Sequence, residues 1–99
     1  MKKVKYRISE SAIKDLDEIW VYTYLNWSKE QADRCHSLIL NEIEFISENT
    51  TSGKSMAHIK EGYLVVYVKS HMIFFRRTKG MVEVGRILHQ MMDIESHFI

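Results

Sequence analysis

Apolar and polar residues alternate along the chain with two different periods, and each period predicts a different element. From Lys3 to Ile8 charged and apolar residues alternate one by one, which is typical of a strand with one buried and one exposed face. From Ala12 to Trp27, and again from Ala32 to Ile46, apolar residues recur every three or four positions, as on one side of an α-helix. The first half of the chain is therefore predicted to form a strand followed by two amphipathic helices.

Polar residues mark where each predicted helix begins. Ser9 offers an N-cap oxygen to the first helix, and Ser28, with Gln31 three residues later, forms a capping box for the second. The short break between the helices predicts an antiparallel helical hairpin. The residues predicted to face the core are Ala12, Leu16, Ile19, Trp20, Thr23 and Trp27 in the first helix and Ala32, Cys35, Ile39, Ile43 and Ile46 in the second.

Two apolar residues, Val21 and Leu25, lie on the predicted outer side of the first helix. They are four positions apart, so they are neighbours on the helix surface. Isolated apolar residues are common on protein surfaces, and the pair is open to that interpretation. The alternative is that both residues dock a partner protein.

The second half of the chain is predicted to be a loop followed by three strands. Ser47 to Glu61 lacks a sustained period and is rich in Ser, Thr, Asn and Gly, which is typical of a loop. Tyr63 to Val68 is a continuous apolar run, which favours a strand covered on both faces. Two further runs, His71 to Arg77 and Val82 to Leu88, follow short turns and complete an antiparallel meander. The predicted fold is α+β in one domain spanning residues 1–99, with an N-terminal strand, a helical hairpin and a three-strand meander forming one sheet.

The predicted meander carries apolar residues on both faces of the sheet. Met72 and Phe74 point to one face, and Ile73 and Phe75 point to the other. Two helices cover only one face of such a sheet, so apolar residues on the second face are left over. Either the tail from about residue 90 to 99 folds across that face, or another chain binds there.

Composition and charge narrow the classes of function. The chain has 14 Lys and Arg against 13 Asp and Glu, a net charge of +1, which does not indicate strong nucleic-acid binding. With Cys35 as the single cysteine no intrachain disulfide can form, and the amino end has no apolar signal segment. The sequence has no glycine-rich phosphate loop and no ligand-type spacing of histidines. We therefore expect a cytoplasmic protein without membrane association, bound metal or cofactor.

Arginines and one histidine in the second half are the candidate functional residues. Arg76, Arg77 and Arg86 border apolar strand positions, where a guanidinium has less freedom than on a loop. Neighbouring strand residues point to opposite faces, so only one of Arg76 and Arg77 shares a face with Arg86. The alternative interpretation is that these charges protect an edge strand from aggregation. His89 ends the last predicted strand and is either a general acid or base or a hydrogen-bonded structural residue.

Two segments of the second half stand out as motifs, SHMIFFR from Ser70 to Arg76 and RILHQMMD from Arg86 to Asp93. These motifs are part of a larger set of residues spread over both helices and the meander. The set is Ser11, Ala12, Asp15, Leu16, Ile19, Trp20, Tyr22, Thr23, Trp27, Gln31, Ala32, Gly62, Tyr63, Ser70, His71, Ile73, Phe75, Arg76, Arg86, Ile87, Leu88, His89 and Asp93. Together they cover nearly the whole chain and resemble the ParE toxins of the RelE/ParE superfamily. That family's fold has the same order of strand, helical hairpin and three-strand meander.

The resemblance implies the toxin of a type II toxin-antitoxin, or plasmid stabilisation, system. It implies a ParD-like antitoxin that wraps the toxin and through which alone the pair binds operator DNA. Such an antitoxin is a partner for the leftover apolar surface. On this interpretation we expect Val21, Leu25, Met72 and Phe74 to bind the antitoxin.

The resemblance leaves two kinds of target open. ParE-like members poison DNA gyrase, and on that interpretation the chain is a non-enzymatic toxin that engages its target through Arg76, Arg86 and His89. RelE-like members cut mRNA on the ribosome, and an endoribonuclease needs a base, an acid and cations close together. The residues that would supply them are His89, Arg86, Arg76 and Lys54. A third interpretation is an inactive relative that only binds its antitoxin.

Overall fold

Five strands form one sheet, and a hairpin of two helices packs on one of its faces. The structure is a computed structural model that describes residues 5–49, 53–57 and 60–89. The elements in chain order are β1 (Tyr6–Ile8), α1 (Glu10–Asn26), α2 (Lys29–Glu48), β2 (Lys54–Ser55), β3 (Leu64–Val68), β4 (His71–Thr78) and β5 (Met81–His89). The predicted α+β fold is confirmed.

The strand order in the sheet is β1-β5-β4-β3-β2. β1 runs parallel to β5, whereas every other neighbouring pair is antiparallel. Parallel strands cannot be joined by a tight turn, so the hairpin and the rest of the meander lie between the first and last strands along the chain. As a result β5 is an inner strand of the sheet, next to both β1 and β4.

Both predicted N-caps are confirmed by hydrogen bonds at the start of each helix. Ser9 Oγ accepts a hydrogen bond from the N–H of Ala12 at 3.0 Å, and Ser28 Oγ accepts one from the N–H of Gln31 at 3.1 Å. Each bond satisfies one of the backbone donors that a helix leaves without a partner at its first turn. The predicted starting points of α1 and α2 therefore follow from local sequence.

A guanidinium of the sheet stabilises the other end of α2. Arg77 donates from Nη1 to the carbonyl oxygen of Ile46 at 2.9 Å and from Nη2 to that of Asn49 at 2.7 Å. The last carbonyl groups of a helix lack partners within it and carry partial negative charge, so a cation there is favourable. Arg77 thus points to the helical side of the sheet, away from the side that carries Arg76.

Two clusters of buried apolar side chains lie on the two faces of the sheet. The first, between the sheet and the helices, contains Ala12, Leu16, Ile39, Ile43, Ile46, Ile73, Phe75, Val82, Val84 and Ile87. The second contains Met56, Val65, Met72, Phe74 and Leu88, with half-buried Tyr63 packed against it. Successive residues of β4 alternate between the clusters because strand side chains alternate between faces. The face opposite the helices therefore has a small core of its own.

The structure corrects three details of the predicted pattern. Trp27 was expected to face the core but is 68% exposed, because α1 ends at Asn26 and Trp27 is its C-cap. Tyr67 is 57% exposed, so the prediction that its strand is covered on both faces was wrong at that position. Within the predicted loop, α2 continues to Glu48 and the two residues of β2 pair with β3, a strand too short to show a period.

Two further predictions concern the C-terminal tail and the absence of a membrane-spanning segment. The tail from about residue 90 to 99, which was expected to contribute apolar side chains, lies outside the described residues. No helix among the described residues has the length and apolar character that a membrane span requires.

Candidate functional site

A β-bulge in β5 decides which side chains lie together on the sheet. Phe74 is paired with Arg86, while the next residue of β4, Phe75, is paired with Val84, so Gly85 is an extra residue in β5. Strict alternation after Val84 would place residue 86 on the helical face. Arg86 does reach the helical side, where it contacts Asp15 of α1, and the bulge places the next residue, Ile87, in the cluster under the helices as well.

Asp15 of α1 receives the guanidinium of Arg86. Arg86 Nε donates to Asp15 Oδ2 at 2.8 Å and Arg86 Nη2 donates to Asp15 Oδ1 at 2.9 Å, a two-point ion pair. The N–H of Ile87 also donates to Asp15 Oδ2 at 2.9 Å. β1 pairs with β5 only as far as Val84, so this N–H lies beyond the end of β1. Asp15 therefore joins α1 to both the side chain and the backbone of β5.

The ion pair between Asp15 and Arg86 is largely shielded from water and positions α1 on the sheet. Asp15 is buried, and the side chain of Arg86 is 24% exposed. The hydrogen bonds from Arg86 to Asp15 raise the pKa of the Arg86 guanidinium above its ordinary value. A two-point pair with little water around it is geometrically specific and costly to break. The contacts of Arg86 with Asp15 hold α1 on the sheet. That Arg86 also engages a target stays a prediction.

Sequence reasoning recognised Asp15 only as part of the family resemblance and assigned it no structural role. A signal was present, since Asp15 lies three positions after Ala12 and next to Leu16, on the side of α1 predicted to face inward. A carboxylate on an inward stripe needs a hydrogen-bonding partner, because burying an unpaired charge is unfavourable. The sequence could have shown that a partner was needed, but not which arginine supplied it.

Arg76 lies on the sheet face opposite the helices and is half exposed. Its Nε is 3.8 Å from Glu83 Oε1, its cross-strand neighbour on β5. Glu83 Oε1 also accepts a 2.6 Å hydrogen bond from Thr78 Oγ1. That hydrogen bond, followed by the nearby charges of Arg76 and Arg7, lowers the pKa of the Glu83 carboxyl. Arg76 is thus held on a strand and contacts Glu83 only at long distance, because the Glu83 carboxylate is hydrogen-bonded to Thr78.

His89 is paired with a second histidine across the two strands. His71 lies directly opposite it, with ring centroids 5.4 Å apart and ring planes at 87°. Burial, followed by the proximity of His89, lowers the pKa of His71. The buried His71 Nδ1 has no hydrogen-bond partner among the described residues. This pair favours a neutral imidazole at position 71 near neutral pH.

The structure does not bring the three predicted target-engaging residues together. His89 and Arg76 lie on opposite faces of the sheet. His89 is two residues after Ile87, on the helical face, whereas Arg76 is two residues after Phe74, on the other face. The five positions that separate His71 from Arg76 along β4 correspond to about 17 Å. Within the described residues no group of three His, Cys, Asp or Glu side chains is arranged to hold a metal ion.

The predicted antitoxin-binding residues divide into two pairs. Val21 and Leu25 are 49% and 73% exposed on α1, whereas Met72 and Phe74 are buried in the second cluster. All four assignments stay predictions.

Val21 and Leu25 have large exposed neighbours at the end of the hairpin. We call the whole set the hairpin patch, which consists of Val21, Tyr22, Tyr24, Leu25 and Trp27.

The hairpin patch is partly ordered by aromatic contacts. The rings of Trp20 and Tyr24 stack at 5.2 Å with an interplanar angle of 7°, and those of Tyr22 and Trp27 lie 6.1 Å apart. Trp20 Nε1 also donates to Asp33 of α2 at 2.9 Å. Sequence reasoning found two members of this patch and assigned Trp27 to the core. Exposed aromatic and apolar side chains close together in one element are typical of a protein-binding surface.

Comparison with known proteins identifies the family. The model of the family described as ParE toxin of type II toxin-antitoxin system, parDE, matches residues 6–94. The chain belongs to the ParE toxin family. Toxin ParE1 of Caulobacter vibrioides is 36% identical over 92 residues, which cover 93% of this chain and 95% of the relative. Toxin ParE1 of Mycobacterium tuberculosis is 34% identical over 92 residues, covering 92% and 94%.

Solved structures agree with the ParE assignment at the level of the fold. A chain from the chromosomal ParDE toxin-antitoxin system of P. aeruginosa superposes with a TM-score of 0.75 at 18% identity, covering 87% of this chain and 95% of that one. A chain from the YoeB-YefM complex of Staphylococcus aureus superposes with a TM-score of 0.59 at 14% identity, covering 89% and 98%. These likenesses show a fold of the RelE/ParE type.

Proposed function

We propose that this ParE-family chain is the toxin of a toxin-antitoxin pair, that it acts by binding DNA gyrase, and that a ParD-like antitoxin neutralises it. The observation that carries the choice of a binding toxin is the separation of the candidate catalytic groups. His89 and Arg76 lie on opposite sheet faces about 17 Å apart along the strands. Acid–base chemistry on RNA needs these groups within hydrogen-bond reach of one substrate.

The ion pair between Arg86 and Asp15 also supports a binding toxin rather than an endoribonuclease. The Nε and Nη2 atoms of Arg86 are held by Asp15 at 2.8 and 2.9 Å, so stabilising a phosphate would compete with a contact that fixes α1. Arg76 is the arginine of the predicted set whose side chain is half exposed. We therefore place the first contact with the target at Arg76.

The hairpin patch supports the proposed antitoxin partner. Relatives and the superposed structures carry the names of toxins and of toxin-antitoxin pairs. A ParD-like antitoxin that lays an apolar helix face on Val21 and Leu25 would remove both side chains from water. The pair would act in the cytoplasm and contact operator DNA through the antitoxin.

The proposal is tested with purified chain, gyrase and supercoiled plasmid. We expect the chain to trap gyrase on cleaved DNA, and Arg76→Ala to reduce the cleaved fraction by roughly tenfold, as for an interface residue of large effect. Lys69→Ala is the matched control, because Lys69 is an exposed cation in the turn at the other end of β4. Uncleaved plasmid, together with messages cut on the ribosome in cells that express the chain, would contradict gyrase as the target and favour an endoribonuclease.

A further inference from the structure

A cleft lies over β1, β5 and β4 on the face opposite the helices. Its volume is about 150 Å³, and it is lined by Arg7, Ser9, Tyr63, Arg76, Glu83, Val84 and Gly85. The volume of one water molecule in the liquid is roughly 30 Å³, so a small polar group fits inside. The cleft lies outside the Asp15–Arg86 contact and outside the histidine pair.

Sheet register places two guanidinium groups on either side of one carboxylate in this cleft. Arg7 of β1 and Arg76 of β4 are both direct neighbours of Glu83 on β5. Side chains at paired positions of adjacent strands share a face, so all three project from the same side. Two cations against one anion leave a net charge of +1, which is matched by one singly charged anion.

The contacts of the two arginines leave room for that anion. Arg76 approaches Glu83 with a single contact of 3.8 Å, and Glu83 Oε1 is shared with the 2.6 Å hydrogen bond from Thr78. The side-chain contact of Arg7 is a 4.0 Å approach of Nη2 to the sulfur of Met81, which is a weak acceptor. Among the described residues, neither arginine has the close two-point contact with a carboxylate that Arg86 makes with Asp15.

The wall of the cleft is aromatic and is kept open by a glycine. A Cβ atom added to Gly85 would lie 2.7 Å from Tyr63 Oη and 2.9 Å from Tyr63 Cε1, so the ring packs directly on the backbone of β5. Lys60 Nζ lies 5.5 Å from the centroid of the same ring. An anion in the cleft would therefore meet guanidinium groups beside a partly apolar surface.

We propose that the Arg7–Arg76 cleft binds one carboxylate of an acidic side chain of the antitoxin, an inference that rests on the proposed function. A carboxylate matches the planar fork of arginine and the charge of the cleft. Nucleic acid gains affinity by neutralising many phosphates along its backbone, and a cleft for one anion in a chain of net charge +1 does not supply that. In a protein interface, a single arginine in a partly enclosed pocket contributes strongly.

The chemistry of the cleft is tested first with small anions on the isolated chain, made by cell-free synthesis. Sodium acetate is titrated against sodium chloride at matched ionic strength, while NMR follows the Gly85 amide and the Arg76 Nε–H. We expect saturable shifts with acetate, and an apparent dissociation constant about tenfold higher in Arg7→Gln, as for the loss of one charge-assisted hydrogen bond. Lys69→Gln is the control and should match wild type. Equal shifts with chloride, or tighter binding of dimethyl phosphate than of acetate, would overturn the assignment to a carboxylate.

The partner is tested with a ParD-like antitoxin that neutralises the chain in cells. We expect Arg76→Gln to weaken its binding by about tenfold and to reduce the dependence of affinity on salt, with Lys69→Gln unchanged. Equal binding of antitoxin to wild type and Arg76→Gln would overturn this inference and leave the proposed function standing. Arg76-dependent binding of a DNA oligonucleotide in place of antitoxin would assign the cleft to nucleic acid. Failure of antitoxin to bind wild type would remove the proposed function as well.

Discussion

Asp15 of α1 binds Arg86 of β5 through two hydrogen bonds, of 2.8 Å from Nε and 2.9 Å from Nη2. The same carboxylate accepts the backbone N–H of Ile87 at 2.9 Å. One buried side chain thus accepts hydrogen bonds from three donors of β5. The contact connects the helical hairpin to an inner strand of the sheet. Arg86, one of the predicted target-engaging arginines, therefore helps to hold the fold together.

Replacing Asp15 with Asn should destabilise the fold. The substitution keeps the shape of the side chain but leaves a partly buried guanidinium without a counter-charge, so we expect the free energy of unfolding to fall by about 3 kcal/mol. Urea unfolding followed by circular dichroism measures the change. Asp17→Asn, at an exposed position of the same helix, should stay within about 0.5 kcal/mol of wild type. If both variants unfold at the same urea concentration, Asp15 does not hold α1 on the sheet.

Gly85→Ala should displace Tyr63 from the face of the sheet. The new Cβ would lie 2.7 Å from Tyr63 Oη, closer than non-bonded atoms approach, and overpacking of this kind costs about 1–3 kcal/mol. Thermal or urea unfolding measures the loss. Tyr63→Leu in the same chain removes the clash, so the double variant should lose less stability than the two single changes added together. Strict additivity would show that the ring does not press on Gly85.

Stability should fall on mild acidification because of His71. Burial and the neighbouring His89 lower the pKa of His71 in the folded state, so the unfolded chain takes up this proton at a higher pH. The free energy of unfolding therefore decreases as the pH falls from about 6.5 through the folded-state pKa of His71, and this contribution vanishes well above pH 6.5. In His71→Gln we expect a flatter dependence over that range, measured by urea unfolding at several pH values. His36→Gln, a histidine of α2, is the comparison, and an equal flattening there would argue against His71 as the source.

Leu25→Ser should weaken antitoxin binding without affecting the fold. Leu25 is 73% exposed, so its loss should change the free energy of unfolding by less than about 0.5 kcal/mol. Removal of an apolar anchor from an interface should weaken affinity by roughly tenfold or more, measurable by calorimetry with a ParD-like antitoxin. Phe45→Ser is the control, because Phe45 is 52% exposed but lies about 24 Å along α2 from the hairpin end. An unchanged affinity in Leu25→Ser would exclude this residue from the docking surface.

Much of the fold could be predicted because its signals are local. The N-caps Ser9 and Ser28, the inward stripe of α2 and the two turns of the meander each depend on residues within a few positions of one another. The family motifs are short segments of the same kind. Where the local signal was short, as in the two-residue strand β2, or lay at a helix end, as at Trp27, prediction was wrong or missed the element.

The sequence by itself determined the order of the two helices and the four strands other than β2, the family, and the set of arginines that had to be explained. Tertiary structure alone decided which arginine is held inside and which is exposed. The bulge at Gly85 breaks the alternation in β5, so that Arg86 and its neighbour Ile87 both lie on the helical side, which period-two reasoning does not predict. The partner of Arg86, Asp15, is 71 positions away in the chain, and only the packing of α1 beside β5 brings the two charges together. Long-range pairing of this kind depends on the whole fold, because a buried charge is stable only where its counter-charge has been placed against it.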